Sequence, residues 1–532
     1  MTSEYFKVLE SIRDMGGAEI LVGGLRGVEK ESLRVSPDGT IAKTRHPKAL
    51  GSALTHPYIT TDYSEAQLEF VTPPYANNWQ VMQSLTELHQ YTHKVLHQQS
   101  DNQDHLHELI WPASMPCMVT KGSDVPVAKF GSSNVGRMKH VYRLGLGYRY
   151  GRTMQTISGV HFNYSIPERF WPIYREFQTF VGKQSEDFIS SQYFHILRNL
   201  RRSSWIILYL FGCSPAVCKS FNVSSDGLEE MYSSYYLPHA TSLRMSNIGY
   251  KNESQSSIQV SANSLQEYIT DLTAAISTPY PEYDKIGVKV DGEYRQLNSN
   301  LLQIENEYYT LVRPKRVARS GEKPSEALKR AGVQYLELRA LDNSLFDPVG
   351  VNSDEMYFLE LLVWYCLFYP SQPLTPDEET ENSQNQLKVA REGRKPDLKL
   401  LHHGRERNLQ EWGRAMCEDM QPLAKLLDQG LPEMSQPLYS RALQKQIDKI
   451  IDPEKTPSAR ILCEMREQKI SFYHLSKNIA VAHHEYFSAL HLNEKKYSRL
   501  SEIAKKSLAR QSLMEKNDHE SFDDYLAKYF AK

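Results

Sequence analysis

Apolar and polar residues alternate strictly in three short stretches of the chain. In "EAQLEFV", Glu65, Gln67 and Glu69 alternate with Ala66, Leu68 and Phe70. In "GVHFNYSI", His161, Asn163 and Ser165 alternate with Val160, Phe162 and Tyr164. In "VQYLELRAL", Tyr335, Glu337 and Arg339 alternate with Leu336, Leu338 and Ala340. A period of two predicts a strand with one buried face, because successive side chains point to opposite sides of a sheet. A fourth stretch, "GVEKESLRV", puts Glu29 and Glu31 on one face, although Lys30 and Ser32 leave its other face less plainly apolar.

Elsewhere the period lengthens. Val81, Leu85, Leu88, Tyr91 and Val95 recur at helical intervals and predict a helix over 76–99. The N-terminal "MTSEYFKVLESIRDMGG" reads as a short amphipathic helix. Residues 20–75 read as strand and loop, with turn chemistry in "SPDG" and "TPPYANN". Residues 115–167 read as glycine-rich and extended, 168–222 as helical and apolar, and 229–345 as mixed strand and loop. After "FYPSQPLTPDEETENSQ" the chain turns charged and helical, with caps such as "TPDE" and "DPEK". The organisation expected is a working body at 1–370, with a mainly helical flank at 371–532 packed on it.

Charge and composition narrow the partners. The chain has 532 residues, with 62 basic and 64 acidic side chains and a net charge of −2. This balance argues against duplex DNA or an anionic membrane as a bulk electrostatic partner. The longest apolar runs, "WIILYLF" and "LLVWYCLFY", are shorter than the roughly 20 residues of a membrane span and read as core segments. Six cysteines without CxxC spacing predict reduced thiols, and early acids argue against a signal peptide, so a soluble, cytoplasmic protein is expected.

The polar faces of the four predicted strands carry unusual residues. Carboxylates, an imidazole and a guanidinium stand where Thr, Ser and Lys are ordinary. If the strands are neighbours, Glu29, Glu31, Glu69, His161 and Glu337 converge, and a loop can add Asp62. Uncompensated, such a cluster is costly in repulsion and desolvation. Two or three Mg²⁺ or Mn²⁺ ions compensate it, because hard cations take carboxylate oxygens and Mn²⁺ accepts a histidine. So many acids with so few imidazoles and thiolates make a poor zinc site. Such metals complete their shells with phosphate oxygens, which points to ATP. The competing reading is a solvated sheet face whose charges never meet.

Weaker signals add little. No GxxxxGK[ST] is present, so no P-loop holds a nucleotide. "GLGYRYG" has GxGxxxG spacing and lacks a βαβ setting. The basic, aromatic stretch 137–152 reads as an anion-binding loop or an ordinary surface loop before it reads as an RNA contact. "VRPKRVARSGEK" at 312–323 reads as a flap over a triphosphate or as a solvated turn. His402–His403 and His483–His484 read as surface histidines, and no cysteine has a base beside it in sequence.

These segments closely resemble the glutamate–cysteine ligase (γ-glutamylcysteine synthetase) family of the proteobacterial type. The resemblance runs through "GVEKESLRVSPDGT", "HPKALGSALTHPYITTDYSEAQLEFVTP", "WPASMPC", "MQTISGVHFNYS", "LPHATSLRMSNIGYKNESQS", "LNSNLLQIENEYY", "RPKRVARSGEKPSEAL" and "EGRKPDL". It covers about residues 20–400 densely and the C-terminal helices loosely. It implies an α+β fold: a funnel-like, mainly antiparallel, glutamine synthetase-like sheet surrounded by helices, with three divalent metals at its base. It implies that ATP phosphorylates the γ-carboxylate of L-glutamate and that the L-cysteine amine displaces phosphate, the first step toward glutathione. Metal neutralisation of two approaching anions suits that chemistry.

By the same resemblance the metal ligands are Glu29, Glu31, Asp62, Glu69, His161 and Glu337, and Arg339 steadies the transferring phosphoryl group. Arg244 meets an amino-acid carboxylate, where bidentate geometry favours arginine. Tyr142, Tyr250 and Tyr309 line the acceptor pocket, with Leu146 and Tyr63 nearby. Adenine contacts lie near Ile157 and are largely backbone-mediated. Each of these has a bland alternative, a salt bridge for the arginines and ordinary packing for the tyrosines. Glutathione feedback inhibition and a monomeric state are further family expectations. A metal-dependent phosphohydrolase, a ligase with another acceptor and a metal-stabilised binding module are the competing functions.

Overall fold

The computed structural model describes residues 3–14, 17–99, 108–119, 121–178, 185–221, 227–249, 258–319, 321–432 and 437–531. Seven strands build the central sheet: β1 (Leu25–Val35), β2 (Ile59–Thr61), β3 (Gln67–Val71), β4 (Leu109–Ile110), β5 (Val160–Ser165), β6 (Val312–Lys315) and β7 (Tyr335–Leu341). Their order is β6-β7-β5-β1-β3-β2, with β4 paired to the end of β1. Every pairing is antiparallel. All four predicted strands lie side by side at the centre of this sheet, as β7, β5, β1 and β3.

The alternation in sequence becomes two chemically different faces. Val28, Leu68, Phe70, Phe162, Tyr164, Leu336 and Leu338 are buried in the largest core. They meet helices α2 (Asn78–Gln99), α4 (Ser185–Phe211) and α5 (Ser353–Phe368). α5 contains "LLVWYCLFY" and is buried on nearly all sides, as an apolar run too short for a membrane must be. Among the described residues no helix is long and apolar enough to cross a membrane. The same core takes in residues from Tyr5 on the N-terminal helix α1 (Ser3–Asp14) to Leu500. Lys30, the exception on the apolar face of β1, lies buried over Phe70 with its Nζ 3.0 Å from His89 Nε2.

Four local expectations need correction. Residues 137–152, read as a loop, belong mostly to a helix, α3 (Asn134–Tyr150), capped by Ser133 accepting from the Gly136 amide. Its glycines hid it, yet Gly145 and Gly147 are packing positions: a Cβ would stand 2.1 Å from Gln303 Oε1 and 2.4 Å from the Tyr63 hydroxyl. The start of 312–323 is the edge strand β6, not a flap or turn. His484, on helix α6 (Phe472–Ala489), is no plain surface histidine, since its Nδ1 lies 3.1 Å from Nδ1 of His93. Cys117 and Cys218, expected as thiols, form a disulfide with Cα atoms 5.4 Å apart. Their separation of 101 residues left no local signal, and the fold supplies the proximity.

Candidate functional site

Register brings the polar residues together. Glu29 on β1 stands opposite His161 on β5, and Glu31 stands opposite Glu69 on β3. Glu337 on β7 stands opposite Asn163 on β5. His161 Nδ1 lies 3.1 Å from Glu29 Oε2 and 3.8 Å from Glu337 Oε1, and its Nε2 lies 3.7 Å from Glu31 Oε1. Potential ligand atoms of Glu29, His161 and Glu337 all fall within 4.8 Å of one another. Asp62 follows β2, held by its carbonyl accepting from the Arg143 side chain, and its charge reaches both Glu31 and Glu69. The five acids and one imidazole singled out in the sequence therefore share one basin, and their charges meet instead of standing apart on a solvated face.

The basin divides electrically. On the β5–β7 side, burial opposes the charge of Glu337, but Lys315, Arg339, His161 and Arg313 hold its carboxyl well below the usual range. Lys315 Nζ is 3.3 Å from Oε1 and Arg339 Nη1 is 3.3 Å from Oε2. Glu29, likewise opposed by burial, is held low by the His161 hydrogen bond. On the β1–β3 side, burial and the Asp62 charge push Glu31 up to about 8, despite the Gly159 amide donating to its Oε2 at 2.9 Å. Burial together with Glu29, Asp62 and Glu31 raises Glu69 further above its ordinary value. Burial and the nearby Arg339 lower His161, which keeps the imidazole neutral and able to ligate.

The residue set fits divalent cations. Glu337 Oε2 is buried and accepts no hydrogen bond from the described residues. The converging donors are carboxylate oxygens and one neutral imidazole nitrogen, with no thiolate, which suits Mg²⁺ or Mn²⁺.

Around this basin the remaining predicted residues fall at different distances. Arg244 is buried, with Nη1 3.5 Å from Asp342 Oδ1 and Nη2 donating to the Arg339 carbonyl at 3.2 Å. Tyr309 feels Arg244, Arg339, Asp342 and Glu31, and its hydroxyl donates to Met245 Sδ at 3.3 Å. Tyr142, on α3, lies within the reach of Asp62 and Arg313. Tyr63 and Ile157 are wholly buried in a second core that Leu146 lines from its edge. The Ile157 carbonyl accepts from Gln67 at 3.3 Å. Tyr250 lies outside the described residues. Glu65, on the predicted polar face, is drawn away to cap the His46 and Lys129 amides at 2.8 Å each.

Several participants carried no role in the sequence reading. Asn163 donates to Glu29 Oε1 at 2.9 Å and so orients it. Arg313 and Lys315 flank Glu337 from β6, and Asp342 holds Arg244. The signal for the two cations was present: positions i and i+2 of "RPK" share a face. It was masked by reading that segment as a turn.

A basin of acids around a neutral histidine, rimmed by arginine and lysine on an antiparallel sheet, has the chemistry of a site for phosphoryl transfer. The family model for glutamate–cysteine ligase matches residues 9–389, and the chain belongs to that family. It is 46% identical to a glutamate–cysteine ligase of Alcanivorax borkumensis, over 98% of each chain. It is 43% identical to that of Azotobacter vinelandii, over 100% of this chain and 99% of the relative. Its fold matches a glutamate–cysteine ligase of Francisella tularensis, solved in complex with AMP, with a TM-score of 0.87 and 34% identity over 96% and 98% of the two chains.

Proposed function

We propose that Glu29, Glu31, Asp62, Glu69, His161 and Glu337 hold Mg²⁺, or Mn²⁺, at the base of the site where this ligase works. The chain makes γ-glutamylcysteine from L-glutamate, L-cysteine and ATP through a γ-glutamyl phosphate, releasing ADP and phosphate, at the start of glutathione biosynthesis. The observation that carries the metal assignment is the Glu29–His161–Glu337 triangle, whose ligand atoms lie within 4.8 Å of one another. When bound, the cations neutralise the phosphates and the attacking carboxylate.

The chain's own groups do the rest. Arg339, already beside Glu337, offers a second guanidinium edge to the oxygens of the phosphoryl group in flight. Arg244 receives an amino-acid carboxylate, its buried position prepared by Asp342. Tyr309 and Tyr142 close the acceptor pocket, while Leu146 and Tyr63 give it an apolar wall against the small CH₂SH group. Ile157 marks the segment against which adenine lies, through backbone groups. The amine's proton passes to a phosphate oxygen or to a carboxylate of the basin, with no one residue singled out as the base. A monomer in the cytoplasm, restrained by glutathione, is the setting that goes with this reading.

The test is phosphate release from ATP and glutamate with and without cysteine, across an acceptor panel including 2-aminobutyrate and alanine. Cysteine-dependent release is expected. Release from phosphate esters with no amine would favour a phosphohydrolase, and no release at all would favour a binding module.

A further inference from the structure

Lys315 is the last residue of β6, at the edge of the sheet, and its side chain is 28% exposed. Its Nζ pairs with Glu337 Oε1 at 3.3 Å, the same oxygen that lies 3.8 Å from His161 Nδ1. The Glu337 carboxylate is one of the three groups of the triangle. An ammonium and a divalent cation cannot both sit on one buried carboxylate without strong repulsion. One of them must leave when the other arrives.

The neighbouring cations are poorly placed to be the one that moves. Arg313 is buried, and its Nη2 donates to the Asn306 carbonyl at 3.0 Å and to the Tyr308 carbonyl. Arg339 engages the other oxygen of Glu337, and its carbonyl receives Arg244. Lys315 has a flexible four-carbon stem, an exposed flank, and Glu337 as its recorded partner among the described residues. A lysine displaced from a metal ligand stays within a few ångströms of whatever shares that metal. Here this is a nucleotide phosphate, which an ammonium binds as a compact point charge.

We propose that Lys315 is an exchanging counter-ion: it neutralises Glu337 while the metal position is empty and moves to a nucleotide phosphate oxygen when the cation takes the carboxylate. This rests on the metal reading given above and adds a residue and a direction of motion to it. No bond forms or breaks, and the ammonium keeps its proton throughout.

The consequence is a pair of opposite effects from one substitution. Lys315→Met removes a competitor for Glu337, so Mn²⁺ binding to the nucleotide-free enzyme, followed by electron paramagnetic resonance, tightens about three- to tenfold. The same variant loses a phosphate contact, so calorimetric ADP binding at saturating Mg²⁺ weakens roughly tenfold. Unchanged or weaker Mn²⁺ binding, or unchanged ADP binding, in the variant overturns the exchange and leaves Lys315 as a fixed ion-pair partner. Failure of the wild-type enzyme to bind Mn²⁺ overturns the metal reading itself and this role with it. The two failures are therefore distinguishable.

Discussion

The two sides of the acidic basin are built from the same residue types and behave oppositely. Between β5 and β7, Glu337 is surrounded by Lys315, Arg339, Arg313 and His161 and stays charged despite burial. Between β1 and β3, Glu31 faces Glu69 across the register with Asp62 nearby, and both carboxyls resist ionisation. One side carries its own counter-ions; the other needs them supplied. A site arranged this way keeps one set of carboxylates charged on its own, while the other ionises fully only when positive charge is brought to it.

Glutamine substitutions break that contrast most sharply, because each removes charge with little change in volume. Glu337→Gln leaves Lys315, Arg313 and Arg339 crowded without their shared anion. Activity is expected to fall about a thousandfold or more, and the metal-free protein to lose roughly 3 kcal/mol. Glu69→Gln also removes activity, but at pH 8 it spares the fold the cost of keeping that carboxyl protonated and raises metal-free stability by about 1 kcal/mol. Thermal melts of both variants in EDTA read the signs. Equal signs would end the distinction between the two sides.

Protons give the next largest effect. The folded value of Glu31 is raised from 4.5 to about 8, so the folded state holds a proton that the unfolded chain releases. Its contribution to stability is therefore full below about 4.5 and is lost as pH rises toward about 8. Metal-free protein is expected to melt at progressively lower temperature across that window. Mg²⁺ binding at pH 7 should expel on the order of one to two protons, seen as a dependence of calorimetric heat on buffer ionisation. Glu69→Gln should reduce that release.

A smaller effect tests how the uncompensated side is coupled to Arg244. Gly159 gives its amide to Glu31, and a Cβ there would stand 2.1 Å from Arg244 Nη2. Gly159→Ala should push the guanidinium off its line, raising the acceptor KM about tenfold with kcat nearly unchanged. An equal fall in kcat with KM constant would instead put Arg244 in the chemical step.

How much of this the sequence disclosed depends on the range of the interaction. Alternation in "FNYS" and "LELR" identified β5, β7 and the direction in which His161 and Glu337 point, because a strand's periodicity is local. The convergence of the acids and the imidazole followed once those faces were taken as neighbours. The division into two electrical halves was not legible, because it depends on β6 lying beside β7 and on Asp62 turning toward β3. Helix α3 was missed because Gly145 and Gly147 weaken helical propensity, whereas their purpose is close approach to Gln303 and Tyr63. The Cys117–Cys218 bond likewise depends on tertiary proximity alone.

Tyr63 offers the finest test, because it stands next to Asp62 yet faces the protein interior. Its ring is buried, and its hydroxyl has no hydrogen-bond partner among the described residues. A buried hydroxyl without a partner costs desolvation and gains nothing in return. Gly147 leaves just enough room for that oxygen, since a Cβ there would come within 2.4 Å of it. Tyr63→Phe is therefore expected to raise stability by up to about 1 kcal/mol, read as a small upward shift in melting temperature. If Tyr63 forms an apolar wall of the acceptor pocket, the same change leaves cysteine turnover intact and improves turnover of 2-aminobutyrate relative to cysteine. Loss of stability would mean that the hydroxyl has a partner in the working enzyme, and a substrate carboxylate would be the first to examine.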